Sequence, residues 1–385
     1  MFKILRNDVF APRIIYNTSR KALTTAADPQ SKPESFRTSE DNPLNHSLNH
    51  EARFYRLPPP VKNQLFQYGG LPKTFEIQIK TFAESCIMVR KSTLNIIECL
   101  NAIDYSKPVV RFVLYGNKGS GKSLTLAHIL HYGHANKFLL VHVPWVGSWM
   151  RRCKEYSNST TKEGFVDLNL DAVAWLAQFK HQNLELLNNP EFIISNEYAW
   201  SKREITPKGS KLLDLVEHGI NRVKYASDCV VAVAQEIKLL SSSAKCKTLV
   251  AIDGYNAFFY PNTRVYTDKK EMVHPHKVTL TTAFLALTEY NWTNAVCVLT
   301  VDEIAIAEKD QISHFPKYLL GKEGFEHLDP FIPIHVPNYT SKEFTSCMEY
   351  YKDRKWVQDF PGINEELRFL SNANPYKLMQ MCGPL

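Results

Sequence analysis

The chain has 385 residues, with 44% hydrophobic and 22% charged positions and a formal net charge of +7. That composition excludes a disordered or collagen-like chain and leaves room for one large or two modest domains; no apolar run approaches the roughly 18 residues of a membrane-spanning helix. The mild basic excess fits an acidic or nucleic-acid partner without requiring one, and the eight cysteines, with no CxxC pair, argue for a reducing compartment over a zinc knuckle or disulfide framework.

Residues 1–27 carry Lys3, Arg6, Arg13, Arg20 and Lys21 against the single acid Asp8, and Phe2, Ile4, Leu5, Val9 and Phe10 can form an apolar face. A basic, acid-poor, amphipathic start is the pattern of a mitochondrial transit peptide. Residues 28–60 are polar and dotted with proline, so they are expected to be an extended arm and not a core element. Two helical patterns follow at 74–104, TFEIQIKTFAESCIM and then STLNIIECLNAI.

Five short apolar runs suit buried strands: VVRFVLY at 109–115, KFLLVHV at 137–143, KTLVAID at 247–253, NAVCVLTV at 294–301 and FIPIHV at 331–336. Helical stretches at 121–134, 171–189, 211–240 and 278–290 separate them, with 211–240 read as one long helix. Alternation of this kind predicts a parallel, doubly wound α/β sheet. The interval between the second and third runs exceeds a simple crossover, so a helical insertion is expected at about 144–246 inside a domain spanning 61–338. Beyond it, Thr340 and Glu343 have capping-box spacing for a helix to about 353. A second helix is expected at 363–371, and Pro375 suits the first turn of a third, so 339–385 reads as a small helical lid.

Between the first run and its helix lies Gly116-Asn117-Lys118-Gly119-Ser120-Gly121-Lys122-Ser123. The spacing GxxxxGK[ST] lets backbone N–H groups curl toward phosphate oxygens at a helix N-terminus, with Lys122 reaching the β- and γ-phosphates and the Ser123 hydroxyl on Mg²⁺. Such a loop wants an acid at the end of another strand. Asp253 and the Asp302-Glu303 pair compete; strand order favours Asp253 as the third-strand acid, acting on the metal through water in its shell, and puts Thr300 in a sensor position. Gly254 then stands where a hydrolase would carry a base. Asn256 and Thr300 can position a water but cannot take its proton, so any hydrolysis is expected to be slow or partner-dependent. Base identity is not readable from local motifs, because the Asn-Lys-x-Asp string of small GTPases is missing.

Weaker signals carry less. His128, His131, His134 and His142 cluster near the second strand, but without further donors at ligand spacing they read as surface or core histidines. Basic residues recur beside aromatics at Trp149–Arg152, Trp200–Arg203 and Tyr266–Lys270, equally consistent with RNA contacts and with a solvated surface.

From about residue 36 onward the chain resembles the mitochondrial small-subunit ribosomal proteins of the death-associated protein three family. The strings that carry the likeness are Phe36-Arg-Thr, LPKTFEIQIKTFAESCIMVRK at 71–91, VLYGNKGSGKSL at 113–124, LVAIDGYNA at 249–257, LLGKEGFEHLDPFIPIHVPNY at 319–339 and LSNANP at 370–375. The resemblance implies an AAA+/STAND-like P-loop NTPase fold and a place in the small subunit of the mitochondrial ribosome, in the matrix. It also implies bound GTP or GDP with Mg²⁺, contacts with neighbouring ribosomal proteins and rRNA, a link to apoptosis, and no insertion into a membrane. It carries over Asn117, Lys118, Gly119, Ser120, Gly121, Lys122, Ser123 and Leu124 as the phosphate loop, and Met88 and Arg90 as residues near the base. Where related ATPases often place an arginine-bearing lid motif, the Asn372-Ala-Asn-Pro375 run is followed only by Lys377.

Overall fold

The computed structural model describes residues 35–261, 263–267, 269–306 and 313–383. The expected transit peptide falls outside them. The sheet is five-stranded and wholly parallel, from β1 (Val110–Tyr115), β2 (Leu139–Val143), β3 (Thr248–Ile252), β4 (Ala295–Thr300) and β5 (Ile332–His335), in the spatial order β5-β1-β4-β3-β2. Strands β1 to β4 are almost continuously apolar and buried, as strands covered on both faces must be. β5 is an edge strand, which is where its Pro333 is tolerated. Because β4 lies between β1 and β3, pairing Thr300 with Leu114 and Leu299 with Ile252, the C-terminal ends of three strands converge on one spot.

Helix α1 (Lys73–Phe82) and α2 (Lys91–Ala102) precede the sheet, and α3 (Lys122–Ala135) joins β1 to β2. The insertion between β2 and β3 holds α4 (Asn169–Leu187), α5 (Leu212–Asn221) and α6 (Ala226–Ser242), with two short two-stranded ribbons. The single helix expected over 211–240 is thus broken at Arg222, and a 3₁₀ turn at Val223–Tyr225 folds α6 back onto α5. A Cβ at Gly219 would stand 2.5 Å from Leu176 and 2.7 Å from Cys229, so glycine permits that close packing. α7 (Thr279–Leu287) leads to β4, and α8 (Pro316–Leu328), not anticipated from the sequence, leads to β5.

The C-terminal lid comprises α9 (Ser341–Asp353), α10 (Ile363–Ser371) and α11 (Pro375–Cys382). The capping box opens α9: Glu343 N donates to Thr340 Oγ1 at 3.2 Å and Thr340 N to Glu343 Oε2 at 2.8 Å.

The arm is where sequence expectation and structure part. Ala52, Tyr55 and Leu57 are fully buried, and Phe54–Arg56 pairs antiparallel with Cys86–Met88. Phe54, Phe82, Cys86 and Met88 share a core with Phe344, Met348, Tyr350 and Tyr351 of α9, so arm and lid are one packing unit. Arg37 ties it further, donating to Glu84 at 2.8 Å and Asp353 at 3.3 Å. Polar composition misled here because a few aromatic side chains, not average hydropathy, decide burial of a short segment.

Candidate nucleotide-binding site

The site begins where β1 ends. Gly116, Gly119 and Gly121 all adopt positive φ (152°, 78° and 104°), a conformation that L side chains rarely reach and that a phosphate-cradling loop requires. Gly121 caps α3, whose first-turn N–H groups have no partner within the helix and whose dipole favours an anion there. Lys122 is 3% exposed; its Nζ donates to the carbonyls of Gly116 at 2.8 Å and Asn117 at 3.0 Å and pairs with Asp302 Oδ2 at 2.9 Å.

Ser123 hydrogen-bonds the carboxylate of Asp253, which ends β3, and Thr300 Oγ1 donates to Asp253 Oδ1 while accepting from Gly254 N at 2.8 Å. Burial pushes the Asp253 carboxyl up to about 6, the hydrogen bonds of Ser123 and Thr300 opposing, with nearby Asp302 also raising it and Lys122 lowering it. The sequence set Asp253 and Asp302 against each other; the fold uses both, one beside the hydroxyl and one beside the amine. Asn256 is buried, and its amide exchanges two 3.0 Å hydrogen bonds with the backbone of Asp302. Its visible task is therefore to fix the turn that aims Asp302 at Lys122.

The lid closes on the loop. Asn374 Nδ2 donates to Lys118 O and to Asn338 Oδ1, both at 3.0 Å, while Asn374 Oδ1 caps α11 by accepting from Lys377 N at 3.1 Å. Tyr376 N donates to Gly119 O at 3.1 Å. A Cβ at Gly119 would lie 2.5 Å from Tyr376 Cβ, so this contact admits only glycine. Asn372 and Ala373, both at φ 51°, swing the chain from α10 into this clamp. In the sequence Asn372–Pro375 shows a helix start at Pro375 and no arginine, and nothing local announces that Asn374 grips the loop.

Arg90 is the second clamp. Its guanidinium donates to Glu343 Oε1 at 2.9 Å and Oε2 at 3.2 Å, to Ser120 O at 2.6 Å and to Pro337 O at 2.9 Å, and it lies over the Tyr339 ring. These bonds join loop, strand end and lid, and commit Arg90 to protein acceptors. Met88 is buried in the wall of a narrow recess of about 50 Å³ that also touches Arg90, Gly121 and Thr125.

That recess adjoins a cavity of about 370 Å³. One end is polar, from Lys118, Gly119, Gly121, Lys122, Ser123 and Asp302; the other is walled by Phe75, Leu124, Tyr339, Tyr351 and Pro375, with Gln78 as its buried amide. The donor set fits a polyphosphate with a hard cation: an ammonium, a hydroxyl beside a carboxylate, and free first-turn amides. Bound there, Mg²⁺ would be held by Ser123 with Asp253 behind it. Among the described residues no cluster of three or more His, Cys, Asp or Glu side chains forms another metal site. The histidines are core groups instead: His128 meets His46 at 2.8 Å, and His142 accepts from Gln178 at 3.0 Å and Gln182 at 3.1 Å. The aromatics of the basic pairs pack likewise, with Trp149 buried and Trp200 stacked on Tyr198 and His218.

Fold and site together define an α/β protein whose glycine-rich loop lies between strand-end acids and a C-terminal helical lid. The chain belongs to the mitochondrial ribosomal death-associated protein 3 family, whose family model matches residues 87–381. It is 36% identical over 379 residues to small ribosomal subunit protein mS29 of Mus musculus, covering 97% of this chain and 96% of that relative. It is 38% identical over 353 residues to the mS29 protein of Bos taurus, covering 91% and 88%. To that of Neurospora crassa it is 22% identical over 206 residues, covering 53% and 42%.

Proposed function

We propose that this chain is a structural protein of the small subunit of the mitochondrial ribosome, in the matrix, where it holds Mg²⁺ with GTP or GDP and supports translation by keeping sheet and lid in one geometry. Family membership supports the ribosomal assignment. The observation that carries the nucleotide reading is the convergence of Lys122, Ser123, Asp253 and Asp302 at the strand ends, under a lid bonded to Lys118 and Gly119.

The chain's own residues divide the work. Loop amides and Lys122 bind the phosphates, Ser123 and Asp253 orient the cation, and Asn374, Tyr376 and Arg90 transmit the loop's conformation to the lid. Gly254 offers no proton acceptor, Thr300 is held by Asp253, and Asn256 is held by Asp302. This favours a retained nucleotide over a turned-over one. A slow GTPase is the second reading, and Asp302 is the observation behind it, since its carboxylate faces the polar end of the cavity.

Sedimentation of the tagged chain from mitochondrial lysate tests the assignment. Co-migration with the small subunit is expected, and a stable pool confined to the light fractions would overturn it in favour of a non-ribosomal adaptor, including the apoptotic role the resemblance implies.

A further inference from the structure

The apolar end of the cavity holds two polar side chains that the phosphate chemistry does not use. Gln78, on α1, is 7% exposed and lines both the cavity and the narrow recess behind it. Its Oε1 accepts from the Tyr351 hydroxyl at 3.5 Å, and its Nε2 has no acceptor among the described residues. Thr125, one turn into α3, is 2% exposed and lines the recess, and its Oγ1 has no hydrogen-bond partner. A buried hydroxyl left like that of Thr125 costs free energy, about 1–3 kcal/mol in proteins, unless something else satisfies it. Around them stand Phe75, Leu124, Tyr339 and Pro375, flat or apolar surfaces suited to a ring.

Resting on the nucleotide reading above, we propose that Gln78 is the specificity-determining residue of this site, reading the purine edge and selecting guanine, while Thr125 anchors either purine. The two side chains differ in freedom. A threonine hydroxyl rotates and can donate or accept, so it tolerates both bases. The Gln78 amide turns its oxygen to the Tyr351 hydroxyl at 3.5 Å, which leaves Nε2, a donor, as the atom to meet a base. Guanine offers acceptors at O6 and N7 along that edge, whereas adenine places a donating amino group at the first of these. A donor facing a donor in a dry pocket leaves both unpaired, which is how a hydrogen-bonding site rejects an isostere far more strongly than an apolar one does.

The test is competition of GDP, IDP and ADP, each with Mg²⁺, against a fluorescent guanine nucleotide on the full chain. IDP keeps the O6 acceptor and lacks the 2-amino group. Wild type is expected to bind GDP and IDP within about threefold of each other and both roughly 100-fold more tightly than ADP. Gln78→Leu is expected to weaken GDP about tenfold or more while sparing ADP, collapsing the ratio, and Thr125→Val to weaken all three together. If Gln78→Leu folds and keeps the GDP:ADP ratio, or if IDP falls with ADP on wild type, the assignment of Gln78 is wrong while the nucleotide site stands. If none of the three nucleotides competes or binds, the nucleotide reading itself fails and this assignment with it. The wild-type comparison needs no variant to fold.

Discussion

Replacing Asp253 by Asn separates what that residue does for the fold from what it does for the cation. Burial lifts its carboxyl from an ordinary 3.8 to about 6 in the folded chain. A folded-state value above the unfolded one means that the native chain holds its proton more tightly, so stability falls as pH rises between those two values and is lowest above 6. The difference corresponds to about 3 kcal/mol at neutral pH. Asparagine is neutral throughout and can still accept from Thr300, so nucleotide-free Asp253→Asn is expected to match wild type near pH 3, below both values, and exceed it by up to about 3 kcal/mol at pH 8. Urea melts in EDTA across that range read the difference directly. With Mg²⁺ and GDP added the order should reverse: at 1,000 times Kd a ligand stabilises by about 4.1 kcal/mol, a gain expected for wild type and lost in the variant. A gain that does not change with pH, or equal ligand protection of both proteins, would rule out these roles for Asp253.

Asn374→Ala removes the clamp on Lys118 and the cap of α11; a stability loss of about 1–2 kcal/mol is expected, with faster nucleotide release in stopped-flow and faster amide exchange in α11. Arg90→Lys keeps the charge but cannot reproduce the forked contacts to Glu343, Ser120 and Pro337, so melts should show a loss of about 3 kcal/mol or more. Burial holds His142 down to about 3 and His131 to about 4, so the folded chain keeps both neutral while the unfolded chain protonates them near 6.5. Their contribution is complete above pH 6.5 and is lost as pH falls toward 4, and His142→Gln is expected to narrow the difference between urea midpoints at pH 7 and pH 5.

The parts that local chemistry dictates were legible in the sequence. Uninterrupted runs such as 109–115 and 247–253 are buried parallel strands, Thr340 and Glu343 cap α9 as their spacing requires, and Pro375 opens α11. The loop glycines announced their conformation because only glycine reaches it cheaply. What stayed hidden depends on partners distant in the chain. Tyr55 is buried because α3 presents His128 and His131 to it, and Asp302 matters because Asn256 turns its backbone toward Lys122. Asn374 reaches a loop some 250 positions earlier, a separation of 256 residues from Lys118, and no period or motif encodes such a contact. The break at Arg222 leaves no local signal, because the apolar spacing of α5 and α6 is helical on both sides of it.

The decisive measurement for nucleotide retention is to extract and identify, by mass spectrometry, the nucleotide that travels with the native chain isolated from mitochondria. About one guanine nucleotide per chain is the predicted result, lost from Lys122→Ala, whose missing amine removes both the loop contacts and the ion pair with Asp302. A native chain carrying no nucleotide, or one carrying an adenine nucleotide in that proportion, would contradict it.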